Sequence, residues 1–175
     1  DIVFDRPELY ARYLRLIGAS AIPWHHCPGN HDMDFASEPM RCFTTWRRVF
    51  GPCHSAFQHG GATFIVLNNV ERLPANGATT SGHGYRGGLG ARQLAFVHNL
   101  LAHVPHDHLV VLSMHIPLVG LEDPHDAAGK TRDAAELLRL LSGRPHTLSL
   151  AGHTHTTEHH YLGAEDGFAG PGHHH

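Results

Sequence analysis

Leu109-Val110-Val111-Leu112-Ser113-Met114-His115 is the stretch that decides the fold class, because it begins as an apolar run and ends on a histidine. A short, uninterrupted apolar run of this kind predicts a strand buried on both faces of a sheet. The patterns on either side are helical, and Asp133 is placed to cap the second of these helices. Their apolar positions are Leu94, Val97, Leu100, Leu101 and Val104 before the strand, and Leu137, Leu138 and Leu141 after it. With a further strand over 147–150, this alternation predicts an α/β architecture in which helices cover a sheet.

The rest of the chain carries patterns that extend the same architecture. Asp5 is placed as the N-cap of a first helix that has Pro7 in its first turn and ends near Gly18. The other predicted elements are a strand over 21–27, a helix over 38–50, hairpin strands over 54–59 and 62–68, and a surface loop over 74–90. No repeat, charge block or linker divides the chain, so one domain accounts for all of these elements.

Composition excludes some functions and favours others. The chain has 175 residues with 13 basic and 16 acidic side chains, and Lys130 is its only lysine. Without a basic stripe, a nucleic-acid-binding module is not expected. No run of about 18 apolar residues occurs, so the sequence predicts no membrane-spanning segment. The 20 histidines raise the expectation of a metal site, although His173, His174 and His175 are also typical of a purification-tag remnant.

Three polar clusters each follow directly on a predicted strand. They are Gly29-Asn30-His31-Asp32, Ser113-Met114-His115 and Gly152-His153-Thr154-His155. In open α/β sheets, ligands bind outside the carboxyl ends of the strands, so we expect the three clusters to converge on one site. Asp1, which lies just before the first helix, is a fourth candidate.

The residue types in these clusters suit a binuclear metal centre. Two cations about 3.5–4 Å apart can hold the attacking and leaving oxygens of an in-line displacement. Such a centre needs a bridging carboxylate, with neutral imidazoles and amide or carboxylate oxygens at the remaining positions. The residues that supply this mixture are Asp1, Asn30, His115, His153 and His155.

The ordered set resembles the calcineurin-like metallophosphoesterase superfamily, whose pattern is Asp-x-His, Gly-Asp-x-x-(x)-Asp, Gly-Asn-His-Asp/Glu, His and Gly-His-x-His. The similarity runs over essentially the whole chain, and it is closest to a bacterial subfamily that carries an additional carboxyl-terminal domain. Further stretches that resemble bacterial members are Phe50-Gly51-Pro52, Gly60-Gly61-Ala62-Thr63-Phe64-Ile65-Val66-Leu67 and Tyr85-Arg86-Gly87-Gly88-Leu89. The resemblance implies a β-sandwich flanked by helices, with the metals at the edge where the sheets meet.

The resemblance also implies a metal-binding role for five residues. Asp1 matches the aspartate of the Gly-Asp block and would bridge the metals. Asn30, His115 and His153 would bind the second metal, and His155 would bind the first.

Other residues near the implied metals would act on the substrate. His31 would lie beside the leaving group as a general acid or phosphate contact. Asp32 would hydrogen-bond His31 and set its orientation and charge. Asp5 matches a later aspartate of the family pattern, although the residues themselves favour a helix cap. Arg86 is a candidate for substrate binding because arginine suits phosphate, with a structural turn as an equal alternative.

The chain departs from the family pattern at its beginning, because the Asp-x-His block that normally binds the first metal does not occur. We therefore expect an N-terminally truncated catalytic domain over 1–163, followed by a Gly/His-rich tail or the start of a truncated segment over 164–175. The first metal site retains only Asp1 and His155, whereas the second keeps a full set of ligands. One metal is expected to bind well and the other poorly.

Metal-dependent hydrolysis of phosphomonoesters or phosphodiesters, by a two-metal centre with a bridging hydroxide, is the function that this reasoning predicts. The mixed ligands admit manganese, iron, zinc, cobalt or nickel. The alternative is a degenerate, non-catalytic metal-binding domain. A zinc hydrolase of carbon–nitrogen or carbon–oxygen bonds ranks last, because the chain has no His-Glu-x-x-His motif. Related bacterial proteins are often exported, which slightly favours an extracytoplasmic location; the particular substrate and the oligomeric state are not predicted.

Overall fold

The computed structural model of the chain describes residues 1–35, 37–74, 84–119, 130–166, 168 and 171–175. The α-helices within these residues are α1 Tyr10–Gly18, α2 Thr44–Phe50, α3 Gly90–Leu101 and α4 Ala134–Leu141. The strands are β1 Ser55–His59, β2 Ala62–Val66, β3 Val70–Arg72, β4 Tyr85–Gly87, β5 Leu109–Ser113, β6 Thr147–Leu150, β7 Tyr161–Leu162 and β8 His173–His174. Short 3-10 helices lie at Pro7–Leu9, Asn30–Asp32, Pro39–Arg41 and Ala164–Asp166. None of the described helices has the length and hydrophobicity needed to cross a membrane.

A six-stranded sheet in the order β1-β2-β5-β6-β8-β7 forms the centre of the molecule. The β1–β2 hairpin is antiparallel, whereas β2, β5, β6 and β8 run parallel to one another. A second sheet has only the antiparallel strands β3 and β4. The mixed α/β architecture with a central sheet flanked by helices confirms the predicted fold class. Of the implied sandwich, the described residues supply the six-stranded sheet and this two-stranded one.

The larger of two apolar clusters packs α3 and α4 against the central sheet. The predicted helical stripes are confirmed, since Leu94, Val97 and Leu101 of α3 and Leu137 and Leu141 of α4 are all buried there. They meet the inward-facing residues of the parallel strands, which include Ile65, Val110 and Leu112. Fully burying one aliphatic side chain of this size stabilises a fold by about 1.5–3 kcal/mol, so this face is a main source of stability.

The second apolar cluster lies beneath the amino-terminal segment and α2. Tyr10, Met33 and Trp46 are buried in it together with Ile116. Met33 directly follows the Asn30–Asp32 turn, and Ile116 directly follows His115. This cluster therefore anchors two of the three polar loops that follow the predicted strands.

The strand predicted over 21–27 is wrong, because residues 23–29 have no regular secondary structure. These residues pack on the hairpin through side chains and form no ladder. The His25 ring stacks on Phe57 with centroids 3.6 Å apart, and Cys27 Sγ lies 3.4 Å from Leu67 O. An extended segment packed on a sheet buries apolar residues much as a strand does, which explains the misleading pattern.

Other predicted boundaries also change. The helix predicted over 38–50 is divided into Pro39–Arg41 and α2, because the carbonyl of Cys42 accepts the Asp34 N–H between them. The loop predicted over 74–90 is wrong at its end, since β4 lies there. Residues 75–83 of that loop lie outside the described residues.

Two aspartates that were predicted to cap helices make their hydrogen bonds to other groups. Asp5 does not cap the first helix, where the N-cap position of the Pro7–Leu9 turn belongs to Arg6. Asp133 does stand before α4, but its side chain makes no capping bond there. Its carboxylate instead accepts hydrogen bonds of 2.8–3.0 Å from the N–H groups of Leu89 and Gly90, at the start of α3. Asp133 thus joins the two helices that cover the sheet.

The carboxyl-terminal histidines take part in the sheet. His174 of β8 pairs with Leu148 of β6 and with Tyr161 of β7. His173 is fully buried and its ring hydrogen-bonds the hydroxyls of Ser149 and Thr147. The predicted boundary at residue 163 stays a prediction.

Candidate functional site

The ends of β5 and β6 bring two of the polar clusters together. The strands are parallel neighbours, so His115 and His153 leave the sheet at the same edge. Backbone hydrogen bonds join the two loops, from Gly152 N to His115 O at 3.0 Å and from Met114 N to Leu150 O at 3.1 Å. The expected convergence at the carboxyl ends of the strands is therefore observed for these two clusters.

Four of the predicted ligands meet at this edge. Asn30 Oδ1 lies 2.8 Å from His115 Nε2 and 3.0 Å from His153 Nδ1. The same two ring nitrogens are 3.1 Å apart. Asp1 Oδ2 lies 3.5 Å from His115 Nε2. We call Asp1, Asn30, His115 and His153 the donor cluster.

The donor cluster has the chemistry and the spacing of ligands to one divalent cation. Metal–nitrogen bonds of about 2.0–2.1 Å place ligand atoms at right angles roughly 3 Å apart, close to the separations in the cluster. Among the described residues, no group of three or more His, Cys, Asp and Glu side chains has the arrangement of a metal site. Asn30 is of none of these four residue types, and its amide oxygen is the atom that both imidazoles face. The residues present thus fit one cation when the amide is included.

His115 is held in the neutral form that a ligand needs. Its side chain is buried, and burial lowers the pKa of its imidazole to about 3, with further lowering from positive charges around it. The short distance from His115 to Asp1 is therefore not an ion pair near neutral pH. A neutral ring leaves the Nε2 lone pair available to a metal.

Asn69 fixes the backbone that carries His115. This fully buried side chain accepts hydrogen bonds from the N–H groups of His115 and Ile116 at 3.2 and 3.0 Å. Its amide nitrogen donates to Ile116 O and to Thr131 Oγ1. The sequence offered only one signal, a polar residue just after the apolar run of β2, and that signal was not enough to assign Asn69 a role.

Asp1 is held against the Asn30–Asp32 turn. The N–H of His31 donates to Asp1 Oδ1 at 2.9 Å. A Cβ atom at Gly29 would overlap the Asp1 carboxylate. Glycine at position 29 is therefore what allows the carboxylate to approach the turn this closely.

His31 has a different carboxylate partner from the one expected. Its Nδ1 lies 2.9 Å from Asp5 Oδ1, and the Asp5 N–H donates to His31 O at 3.0 Å. The ring of His31 also stacks on Phe4 with centroids 4.1 Å apart. Asp5, which the residue pattern placed as a helix cap, is the group that orients this histidine.

The hydrogen bond expected between Asp32 and His31 is wrong. The Asp32 carboxylate is buried and accepts hydrogen bonds from the N–H groups of Ile2, Val3 and Gly29 at 2.9–3.1 Å. It also accepts the hydroxyl of Tyr10 at 3.2 Å. Asp32 therefore ties the amino-terminal segment to the turn, and it is too fully engaged to orient the imidazole.

Backbone strain is concentrated at the site. Among the described residues, the non-glycine positions with positive φ are Asp5, His153 and His155, at 58°, 72° and 57°. Each such position costs about 1–3 kcal/mol, and strain of this kind tends to persist at functional sites. Two of the three are the histidines of the Gly152–His155 loop.

Two predicted site residues form no hydrogen bond to the donor cluster within the described residues. His155 is exposed and forms no hydrogen bond within the described part of the chain. Arg86 makes a two-pronged ion pair with Glu71 across β3 and β4, at 2.9 and 3.1 Å, and Arg132 contacts the same carboxylate at 3.0 Å. Arg86 therefore has a structural partner, and its role in substrate binding stays a prediction.

Comparison with known proteins points in the same direction as the geometry. A family model described as calcineurin-like phosphoesterase matches residues 1–157. A search of the curated proteins found no match. The matched range includes every member of the donor cluster, together with His31 and Asp5.

Proposed function

The chain belongs to the calcineurin-like phosphoesterase family, and from this premise we propose that it hydrolyses phosphate esters with divalent metal ions bound at the donor cluster. One observation carries the proposal: Asn30 Oδ1 lies within 3.0 Å of ring nitrogens from both His115 and His153. These residues come from separate loops, and a shared ligand explains why two imidazoles face one amide oxygen.

The donor cluster would hold one metal through Asn30, His115 and His153, with Asp1 as the carboxylate shared with a second metal. When bound, such metals lower the pKa of water and offset charge on a phosphoryl group. This other metal is the first metal of the family pattern, and of the two residues predicted to bind it, Asp1 lies in the cluster whereas His155 forms no hydrogen bond to the cluster within the described residues. We therefore expect the two sites to differ in affinity.

His31 would move the proton that the leaving oxygen needs. The Asp5 carboxylate accepts a hydrogen bond from Nδ1 of His31. The other ring nitrogen of His31, Nε2, is therefore left to carry the proton that is transferred. Stacking on Phe4 and the hydrogen bond to Asp5 fix the plane of the ring. Asp32 would act indirectly, by holding Gly29 and the segment after Asp1 in place.

A degenerate metal-binding domain is the second candidate. The observation in its favour is the position of His155, which is exposed and forms no hydrogen bond to the donor cluster within the described residues. Such a domain would bind one metal at the donor cluster without turning over a substrate.

Hydrolysis of bis-p-nitrophenyl and p-nitrophenyl phosphate with added manganese, together with metal analysis, tests the proposal. Asn30→Ala should abolish turnover and lower bound metal, because it removes the oxygen that both imidazoles face. Asn99→Ala, at an exposed position of α3, is the matched control and should leave both unchanged. Metal bound without turnover in the unaltered chain would favour the degenerate domain. Full turnover in Asn30→Ala would overturn the assigned site.

A further inference from the structure

A cavity of about 570 Å³ opens next to Asp5, the carboxylate partner of His31. Asp5, whose carboxylate contacts His31 Nδ1, lies in its wall. Met33 also lines it and follows the Asn30–Asp32 turn directly. Through Asp5 and Met33 the cavity is therefore linked to the turn that carries His31, the residue proposed to protonate the leaving oxygen.

Two arginines line this cavity without a protein partner. Arg41 and Arg48 are exposed, and neither forms a hydrogen bond or ion pair through its side chain within the described residues. Arg41 ends the Pro39–Arg41 turn and Arg48 lies in α2, and Thr44 and Thr45, between them in sequence, line the same cavity. Other arginines near the site behave differently, since Arg86 and Arg132 are both paired with Glu71.

The acidic residues of the cavity form no ion pair with these arginines within the described residues. Asp5 is engaged with His31. Asp34 accepts the N–H of Thr45 at 2.8 Å. The cavity therefore offers two guanidinium groups that are available to a ligand. Guanidinium binds phosphate and carboxylate through two parallel hydrogen bonds, which makes an anionic group the matching ligand.

One wall of the cavity is apolar and held in place. Phe35 lines it, and its carbonyl accepts a hydrogen bond of 3.0 Å from Arg72 Nη2. The Arg72 guanidinium also lies 4.9 Å from the centre of the Phe35 ring. A ligand with a flat or sugar-like body and an anionic end suits a cavity with one apolar wall and two arginines.

We propose that this cavity receives the leaving group, and that Arg41 and Arg48 select phosphate esters whose leaving alcohol carries a second anionic group such as phosphate. This inference rests on the proposed function. In the reaction, the oxygen of water bonds to phosphorus and the bond from phosphorus to the leaving oxygen breaks. His31 gives its proton to that oxygen and regains one from the attacking water, while the second anionic group stays on the arginines unchanged.

Binding of adenosine 3′,5′-bisphosphate and adenosine 3′-monophosphate, measured by calorimetry in metal-free buffer, tests the cavity without relying on turnover. The two ligands differ only in the 5′-phosphate. We expect the bisphosphate to bind about tenfold more tightly, as one or two charge-assisted contacts would give. The double variant Arg41→Gln/Arg48→Gln should bring the two affinities to within about twofold, as loss of those contacts predicts. Arg15→Gln, at an exposed position of α1, should keep the difference.

Release of the 3′-phosphate with manganese present supplies the second measurement. The bisphosphate should be the better substrate by kcat/KM, and the double variant should lose this preference. Hydrolysis of bis-p-nitrophenyl phosphate should be unchanged in the double variant, because its leaving group carries no second anion. Equal binding of the two adenosine ligands, or a preference that survives in the double variant, would overturn the proposal.

The two proposals fail in different ways. If the bisphosphate binds more tightly through the two arginines but no ester is hydrolysed, the proposed function is wrong and the anion site is supported. Hydrolysis of bis-p-nitrophenyl phosphate without any preference for the bisphosphate would sink the anion site alone.

Discussion

The two sides of this molecule are stabilised in different ways. Around α3, β5 and α4, long apolar side chains pack into one large cluster. Around residues 1–35, much of the backbone outside α1 is irregular, and the buried Asp32 carboxylate holds it through the N–H groups of Ile2, Val3 and Gly29. The candidate site lies where these two sides meet, with His115 and His153 from the first and Asp1 and Asn30 from the second.

This difference indicates which substitutions should change the stability of the fold and which should change the candidate site. Apolar packing is tolerant of local detail but is costly to empty, because a cavity loses both transfer energy and contacts. Polar anchoring stabilises less overall, yet it fixes particular atoms to within tenths of an ångström. Substitutions on the first side should therefore change the free energy of unfolding, and those on the second should mainly change the site.

Leu112→Ala should have the largest effect. Leu112 is fully buried in β5 beneath α3 and α4, so its truncation should lower the free energy of unfolding by about 2–5 kcal/mol. Urea unfolding followed by circular dichroism measures the loss. Leu16→Ala, at a position of α1 that is 67% exposed, should change it by less than about 0.5 kcal/mol. Similar losses in the two variants would contradict the assignment of the main core.

Asn69→Ala should have the next largest effect, and it should lower both the free energy of unfolding and the affinity for metal. The substitution leaves the N–H groups of His115 and Ile116 buried without an acceptor, at a cost of about 1–3 kcal/mol. Because those N–H groups position His115, metal affinity should also fall by about 10–100-fold, as when an outer hydrogen-bond partner of a metal ligand is lost.

Urea unfolding and metal titration together test Asn69→Ala, with Asn99→Ala as the control. A loss of stability at unchanged metal affinity would show that Asn69 supports the fold and not the site.

The sequence predicted the first side well because its signal is local. The apolar spacing in α3 and α4 and the run in β5 follow from the periods of helix and strand, and buried residues fall where those periods place them. The meeting of the loops after β5 and β6 was also predictable, since parallel strands bring their carboxyl ends to one edge. The β1–β2 hairpin followed from Gly60-Gly61.

The second side was predicted poorly because its interactions link distant residues through polar groups. Nothing in the neighbours of Asp5 distinguishes a helix cap from a partner of His31, which is 26 residues away. Asp32 was given the wrong partner for the same reason, since it contacts the N–H groups of Ile2 and Val3. Asn69 looked like any polar residue after a strand. Local sequence patterns carry no information about which polar groups meet across a loop.

Asp5→Asn should have the smallest effect on stability and the most specific effect on chemistry. Asparagine tolerates the positive φ at this position, so the backbone and the metal content should be unchanged. The neutral amide stabilises a protonated His31 less well, so kcat should fall about tenfold at unchanged KM, within the usual contribution of general acid catalysis.

The loss should be larger for phenyl phosphate than for p-nitrophenyl phosphate, because a poorer leaving group depends more on protonation. Asp107→Asn, at an exposed position, is the control. An equal loss of kcat for the two esters would mean that Asp5 holds the turn in place and does not act through the proton on His31.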